Sequence, residues 1–554
     1  MERRSRAVGS LSLRVGFTVI GVAGAVLLAA VAASAQNQIN TGPGPTADTA
    51  PGATGVISGQ TPSQTAQAQE APIAYSDAGD GKGDWWAPGE GSQIPAFAQY
   101  DNPDGKLGLV NASGAVVTKG HPFFEPIGAN GRACVSCHQP ANGMSLSVAN
   151  VQKRWAATGG KDPLFAPVDG SNCPSLPQDK EASHSLLLKR GLFRIFLPWP
   201  PKAADGSKMT PEFDIEVVSD PTGCKLDPVY GLKGSNPTIS VFRRPRVVAN
   251  MKYVTSGGGP LNIKDASPMD RDPETGAYVN MNIMADAREP TPRTQAVNAA
   301  LTHLQAKSVP TAAQLQKILD FENQVYSASS FSRKAGDLME PGGPDALGPR
   351  AMQRGTPGLG DNFYTPVFGY FEQWKKPAAG DAKAEFRASV ARGMEVYFTR
   401  AFYIRDVTHL NTVGLGNPIK RTCATCHNAR LTGMDAAPGW MDLGTGNDPW
   451  SKLLPTDNEL PVFKLTCKTA RKAHPFLGRV IYTHDPGRAL ISGRCVDIGA
   501  ITMQQFRGLS ARAPYFSNGG AKDLRELVEF YNKRFEANYT DQEKADLVNF
   551  LSVL

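Results

Sequence analysis

Two stretches of this chain, RACVSCHQP at residues 132–140 and RTCATCHNA at 421–429, repeat the pattern Cys-x-x-Cys-His in opposite halves of the sequence. No other feature constrains the fold as strongly, because a chain that grips a rigid group at two such points must wrap around it twice. Three chemistries use this pattern. Zinc needs four ligands, whereas each copy offers three at best, and no second CxxC or HxxxH lies nearby. A redox dithiol uses the cysteines and leaves the following histidine of both copies unexplained. Covalent haem attachment uses every residue type. Two thiols add across the two vinyl groups, the spacing suits one helical turn, and the histidine lies beneath the iron. The expectation is two covalently bound c-type haems, on Cys134, Cys137 and His138 and on Cys423, Cys426 and His427.

Such haem is attached outside the cytoplasm, and the N-terminus agrees. MERRSRAVGSLSLR is basic, the run VGFTVIGVAGAVLLAAVAASA is apolar, and Ala33-Ser34-Ala35 gives the small-x-small pattern for cleavage before Gln36. Residues 1–35 are expected to be a signal peptide delivering a periplasmic protein, with an uncleaved membrane anchor as the alternative. In an oxidising compartment the other four cysteines read as disulfides. The nearest-neighbour choice among three connectivities is Cys173 with Cys224 and Cys467 with Cys495. The net charge of +7 is spread along the chain, and no basic stripe interleaved with aromatics appears, so nucleic acid is set aside.

The 554 residues suggest two to four domains. Residues 36–84 are rich in Gln, Thr, Ala, Gly and Pro and read as a flexible leader. An N-terminal, catalytic haem domain is expected over 85–340 and a C-terminal, electron-transfer haem domain over 341–554, parted near the Gly/Pro stretch at 339–358. Helical spacing marks 311–328, AEFRASVARGMEVYF, DLRELVEFYNKRF and TDQEKADLVNFLSVL, the last with a Thr540–Glu543 capping box. The expected fold is mainly α: two cytochrome c-like haem domains with long irregular loops and a few short strands within 210–255.

From about residue 118 onward the chain resembles the bacterial di-haem cytochrome c peroxidase superfamily, which includes the di-haem enzyme that matures methylamine dehydrogenase and, distantly, di-haem rubber oxygenase. The resemblance rests on both haem motifs in order, on FRRPRVVAN at 242–250, on ADAREPTPRTQA at 285–296 and on FRGLSARAPYFSNGGAKDLRELVEFY at 506–531. FENQVYSA at 321–328 fits the family's Phe-Glu helix. The resemblance implies chemistry at the N-terminal haem and electron entry at the C-terminal one.

It also implies roles for particular residues. Ungapped alignment puts Tyr531 where the family places the second ligand of the C-terminal haem, with Met503, His474 and His484 as fallbacks. No histidine follows the first motif closely, so the distal side of the N-terminal haem is expected to be open; His121 and His184 are the candidates to close it. Gln295 matches the family's distal Gln, but Gln305 stands where the family has its acid–base Glu. His303 is the expected proton shuttle, with Glu289 as the other candidate. Ala285 replaces the family's inter-haem Trp, so either Met284, Tyr253 or another aromatic substitutes or the two haems are less tightly coupled than in the peroxidases. Arg288, with Arg132, Arg243 and Arg244, is a partner for haem propionates. Asn250 and the loop around Arg512 occupy places where the family holds a Ca²⁺.

The leading functional expectation is peroxidase-type reduction of H₂O₂ at the N-terminal haem, with electrons from a small periplasmic cytochrome or cupredoxin. One alternative is oxidation of an organic or protein substrate with peroxide or dioxygen; another is a non-enzymatic electron carrier. A homodimer is compatible with each.

Overall fold

The computed structural model describes residues 83–203, 206–255, 283–354, 371–377, 379–408, 410, 416–427, 440–455 and 458–554. The expected signal peptide and nearly all of the leader lie outside these residues. Among the described residues no helix is long and apolar enough to cross a membrane.

Eight strands carry the longer pairings: β1 (Phe97–Asn102), β2 (Gly105–Asn111), β3 (Phe193–Pro198), β4 (Phe213–Ser219), β5 (Thr238–Arg243), β6 (Val325–Ser332), β7 (Val462–Cys467) and β8 (Val480–Thr483). Five helices frame the cavities described below: α1 (Pro292–Thr302), α2 (Ala312–Gln324), α3 (Ala382–Thr399), α4 (Leu524–Arg534) and α5 (Asp541–Ser552).

β1 and β2 make a hairpin because Asn102 builds its turn: its Oδ1 accepts the N–H groups of Asp104 and Gly105, both at 3.0 Å. β6 joins the other edge of β2, so closely that a Cβ on Gly105 would stand 2.0 Å from the Phe331 carbonyl oxygen. The helix expected over 311–328 therefore ends early. α2 stops at Gln324, and VYSASSFS, led by a β-branched and an aromatic residue, continues as strand. A second sheet has the order β8-β7-β4 and joins strands from the two halves of the chain. Its alternate side chains Phe213, Phe463, Leu465 and Ile481 are buried on one face. β3 pairs with β5. The disulfides join Cys173 to Cys224 and Cys467 to Cys495.

The mainly α expectation, with its two cytochrome c-like haem domains, is corrected here. Among the described residues fifteen strands in six sheets stand beside the helices. The physical reason lies in where the partners sit. β2 finds β6, and β4 finds β7, far along the chain. Local alternation over five or six residues carries only part of that signal.

α5 starts at the expected capping box, Thr540 receiving the Glu543 N–H at 3.1 Å while Glu543 accepts the Thr540 N–H at 2.8 Å. It lies against α3 where Gly393 faces the Asp546 carbonyl oxygen; a Cβ there would be 2.0 Å away. Between them Val390, Met394, Tyr397, Leu547 and Phe550 form part of a large apolar cluster around the second motif.

One buried group works against this fold. Lys225 is 1% exposed, its Nζ 4.6 Å from the Phe242 ring centre and 3.5 Å from the Thr222 hydroxyl, with no carboxylate paired to it among the described residues. Burial pushes its ammonium down to about 7 from 10.5. The unfolded chain thus binds more protons between those values, and folding stability should rise as pH climbs from about 7 to 10.5, the penalty being complete below 7. Lys225→Met is expected to add about 2–4 kcal/mol at pH 6 and to flatten that pH dependence. Urea unfolding at pH 6 and pH 9 checks this; equal gains at both pH values would sink it.

Candidate functional site

Each Cys-x-x-Cys-His copy folds as one tight turn. In the first, the Cys137 and His138 N–H groups both donate to the Cys134 carbonyl, at 3.2 and 3.1 Å. In the second, Cys426 and His427 do the same to Cys423, at 3.3 and 3.0 Å. The spacing thereby brings two sulfurs and an imidazole to the wall of one cavity, twice. The unfilled space is about 1350 Å³ at the first copy and 1510 Å³ at the second, mouths included. None of the four motif cysteines is part of a disulfide. Burial pushes Cys137 up to about 12 and Cys423 up to about 11, the opposite of the activated thiolate of a redox dithiol.

In the first cavity, His138 Nδ1 lies 3.1 Å from the Met144 carbonyl, and the imidazole also has a backbone hydrogen bond to Arg246. Burial pushes its imidazole down to about 4, keeping the ring neutral. α1 lays Gln295 and Ala299 along this cavity, and His303 follows as the helix's C-cap, four residues on each time. Its seat is a close one: a Cβ on Gly128 would stand 1.5 Å from the Leu304 carbonyl oxygen.

His303 is not alone. Its Nδ1 lies 2.6 Å from Oδ2 of Asp169, whose side chain is 1% exposed, and Oδ1 of Asp169 pairs with the Arg132 guanidinium. Burial opposes the Asp169 charge, but Arg132 and the His303 hydrogen bond outweigh it and hold the carboxyl below its usual range. Arg132 is fixed by the carbonyls of Pro163, at 2.7 Å, and Leu164, at 2.6 Å. Arg132 stands two residues before Cys134, so the network links the motif to α1. Nothing in the segment VDGSNC distinguishes Asp169 from an ordinary turn residue; only the folded chain brings it to His303.

Glu322 on α2 also lines this cavity, and burial alone pushes it up to about 8, so it is a neutral acid at pH 7. Glu289 is 8% exposed but does not line the cavity; burial pushes it up against a Thr294 hydrogen bond. Gln305 is exposed and lies off the cavity. His121 and His184 stay away as well. His121 accepts the Phe123 N–H at 3.2 Å, and both nitrogens of His184 face backbone carbonyls, Gly170 at 2.8 Å and Gln178 at 3.0 Å.

In the second cavity, Tyr531 on α4 faces His427, with its hydroxyl 3.5 Å from His427 Nε2 and the rings nearly perpendicular at 85°. Burial and the nearby Cys423 and Cys426 push the phenol well up. Met503 lines the same cavity. His474 and His484 do not: the first has its Nε2 3.4 Å from Asp442, and the second donates from Nδ1 to the Pro461 carbonyl at 3.0 Å.

The arginines divide into two sets. Arg243 is bidentate to Asp485, at 2.6 and 2.8 Å, and also bonds Asp286 at 2.5 Å. Arg288 lines the first cavity but its charge is met by Asp286 at 2.9 Å, as that of Arg132 is met by Asp169. Arg244, Arg246 and Arg512 have no carboxylate partner among the described residues. Burial pushes Arg244 and Arg246 down to about 9 and Arg512 down to about 10, and Arg512 Nε has no hydrogen-bond partner. The Asn250 amide, by contrast, is fully engaged: it donates to the Ser327 carbonyl and Gln505 and accepts the Ser327 N–H. Ala285 lines the first cavity and accepts the Thr502 N–H at 2.8 Å, while Tyr253 lies off both cavities and donates to the Met352 carbonyl at 2.6 Å.

The residues present fit a flat, largely apolar group that reacts with two thiols, takes an imidazole ligand and carries acid arms toward the unpaired arginines. No protein-family model matches the chain, and no curated protein matches it.

Proposed function

We propose that this is an exported di-haem oxidoreductase of peroxidase type. Haem would be held by Cys134, Cys137 and His138 in the first cavity and by Cys423, Cys426 and His427 in the second. The observation that carries the reading is the asymmetry of the two cavities. The first has an acid–base pair, His303 and Asp169, at its wall; the second has Tyr531 facing its histidine.

Bound haem iron supplies the electron chemistry of both sites. The chain supplies the protons. Reduction of H₂O₂ to two waters takes two electrons and two protons, and one proton must also move from the inner to the outer peroxide oxygen. His303, with Nδ1 committed to Asp169, has Nε2 to accept and return that proton. The Gln295 amide can donate a hydrogen bond to the peroxide, and the neutral Glu322 carboxyl is a second proton source within the same cavity. Tyr531 and His427 would both hold the second haem, which suits electron entry from a small periplasmic cytochrome or cupredoxin. The pairing of Arg246 with the Thr502 carbonyl at 2.9 Å ties the walls of the two cavities, so a site for chemistry and a site for electron entry would be neighbours.

Purified protein is expected to carry two haems per chain, to show a high-spin ferric fraction that binds cyanide, and to consume H₂O₂ with a reduced cytochrome. Only low-spin haem, binding neither cyanide nor, once reduced, CO, would overturn the enzyme and leave an electron carrier. Turnover of an organic molecule in place of the cytochrome would move the reading to the oxidase alternative.

A further inference from the structure

The two cavities share a wall. Arg244, Gln504 and Gln505 line both, whereas Arg246 lines only the first and Arg512 only the second. Arg244 and Arg512 are each 6% exposed. Carboxylates stand close by, but Asp485 and Asp286 are bonded to Arg243, the residue immediately before Arg244. Chain acids thus neutralise the neighbour and leave this wall cationic. Cations buried without an acid are costly unless an anion arrives from outside the chain.

Arg244 is also clamped. Its Nη1 donates to the Arg190 carbonyl at 2.8 Å, and its Nη2 to the carbonyls of Leu146, at 2.5 Å, and Arg512, at 2.9 Å. The chain makes room for it at Gly191, where a Cβ would lie 2.5 Å from Nη1. Held from both sides, the guanidinium cannot swing to serve one cavity and abandon the other.

We propose that Arg244 is an electrostatic tie between the two cofactors, a single fixed cation that acts on both and moves their reduction potentials together. This rests on the two-haem reading above. A buried positive charge stabilises the reduced, less positive state of any iron near it, and in a medium of low dielectric constant its effect reaches both sides of a thin wall. Arg246 and Arg512 each line one cavity, so each acts more strongly on that side than on the other.

Spectroelectrochemical titration of the holoprotein tests this. Arg244→Gln is expected to lower both midpoint potentials, each by about tenfold in the reduction equilibrium, or 59 mV for a one-electron couple. Arg246→Gln should lower chiefly the first and Arg512→Gln chiefly the second. Arg244→Lys keeps the charge and should hold both near wild type; it carries the test if the Gln variant does not fold. The proposal fails if Arg244→Gln shifts one potential or neither, if Arg244→Lys lowers both, or if Arg246→Gln or Arg512→Gln moves both equally. A wild-type chain that binds no haem would instead remove the reading beneath it.

Discussion

His303→Ala should slow peroxide turnover by about a hundredfold or more, and Asp169→Asn should come close to it. The first effect is loss of the base. The second follows from the hydrogen bonds of Asp169. One carboxylate oxygen faces Arg132, which only donates, and the other faces His303 Nδ1. An Asn at 169 must turn its carbonyl oxygen to Arg132, so its NH₂ meets His303 and forces Nδ1 to accept. The proton then sits on Nε2, which has no lone pair left to take a proton from peroxide. The same change weakens a buried ion pair whose partner, Arg132, is 0% exposed, so the variant should also lose about 3 kcal/mol or more of stability. Steady-state rates on protein of verified haem content check both. A His303→Ala enzyme at the wild-type rate would remove the residue from the mechanism. Full activity in Asp169→Asn would mean that the tautomer does not matter.

Tyr531→Phe should leave the first haem unchanged and alter the second. Burial, with Cys423 and Cys426 beside it, keeps the phenol protonated. A ferric ion reverses that preference, because the nearest positive charge then belongs to the metal. A phenolate stabilises the ferric state, so its loss should raise the potential of the second haem and open it to cyanide. Absorption and EPR spectra of the variant decide: an unaltered second haem would show that Tyr531 is only a helix residue against the core. Met503, in the same cavity, would then be the next residue to replace.

Much of this site could be read along the chain. The motif turns, the α1 face that runs from Gln295 to His303 and the Thr540 cap depend on residues at most eight positions apart, and contacts of that range leave a periodic mark. The nearest-neighbour cysteine pairs, one choice among three connectivities, are the ones the fold brings together, across 51 and 28 residues that leave no periodic mark. β6 was not, because its head looks like the end of a helix until β2 is beside it. Asp169 was not, because one Asp in a Gly/Ser turn carries no signature of the histidine it meets in space. Gln305, set aside from its side chain as unable to act as acid or base, is also off the cavity, because α1 ends at Thr302 and the next turns carry it away.

The sequence by itself determined that two like Cys-x-x-Cys-His turns would form, since each is built from hydrogen bonds within five residues. What made them different was decided only by tertiary structure. Asp169 beside one histidine, Tyr531 facing another and Arg244 between the two come from segments scattered through the chain. A side chain's role there depends on which charges and carbonyls surround it once water is excluded, and no local pattern encodes those neighbours.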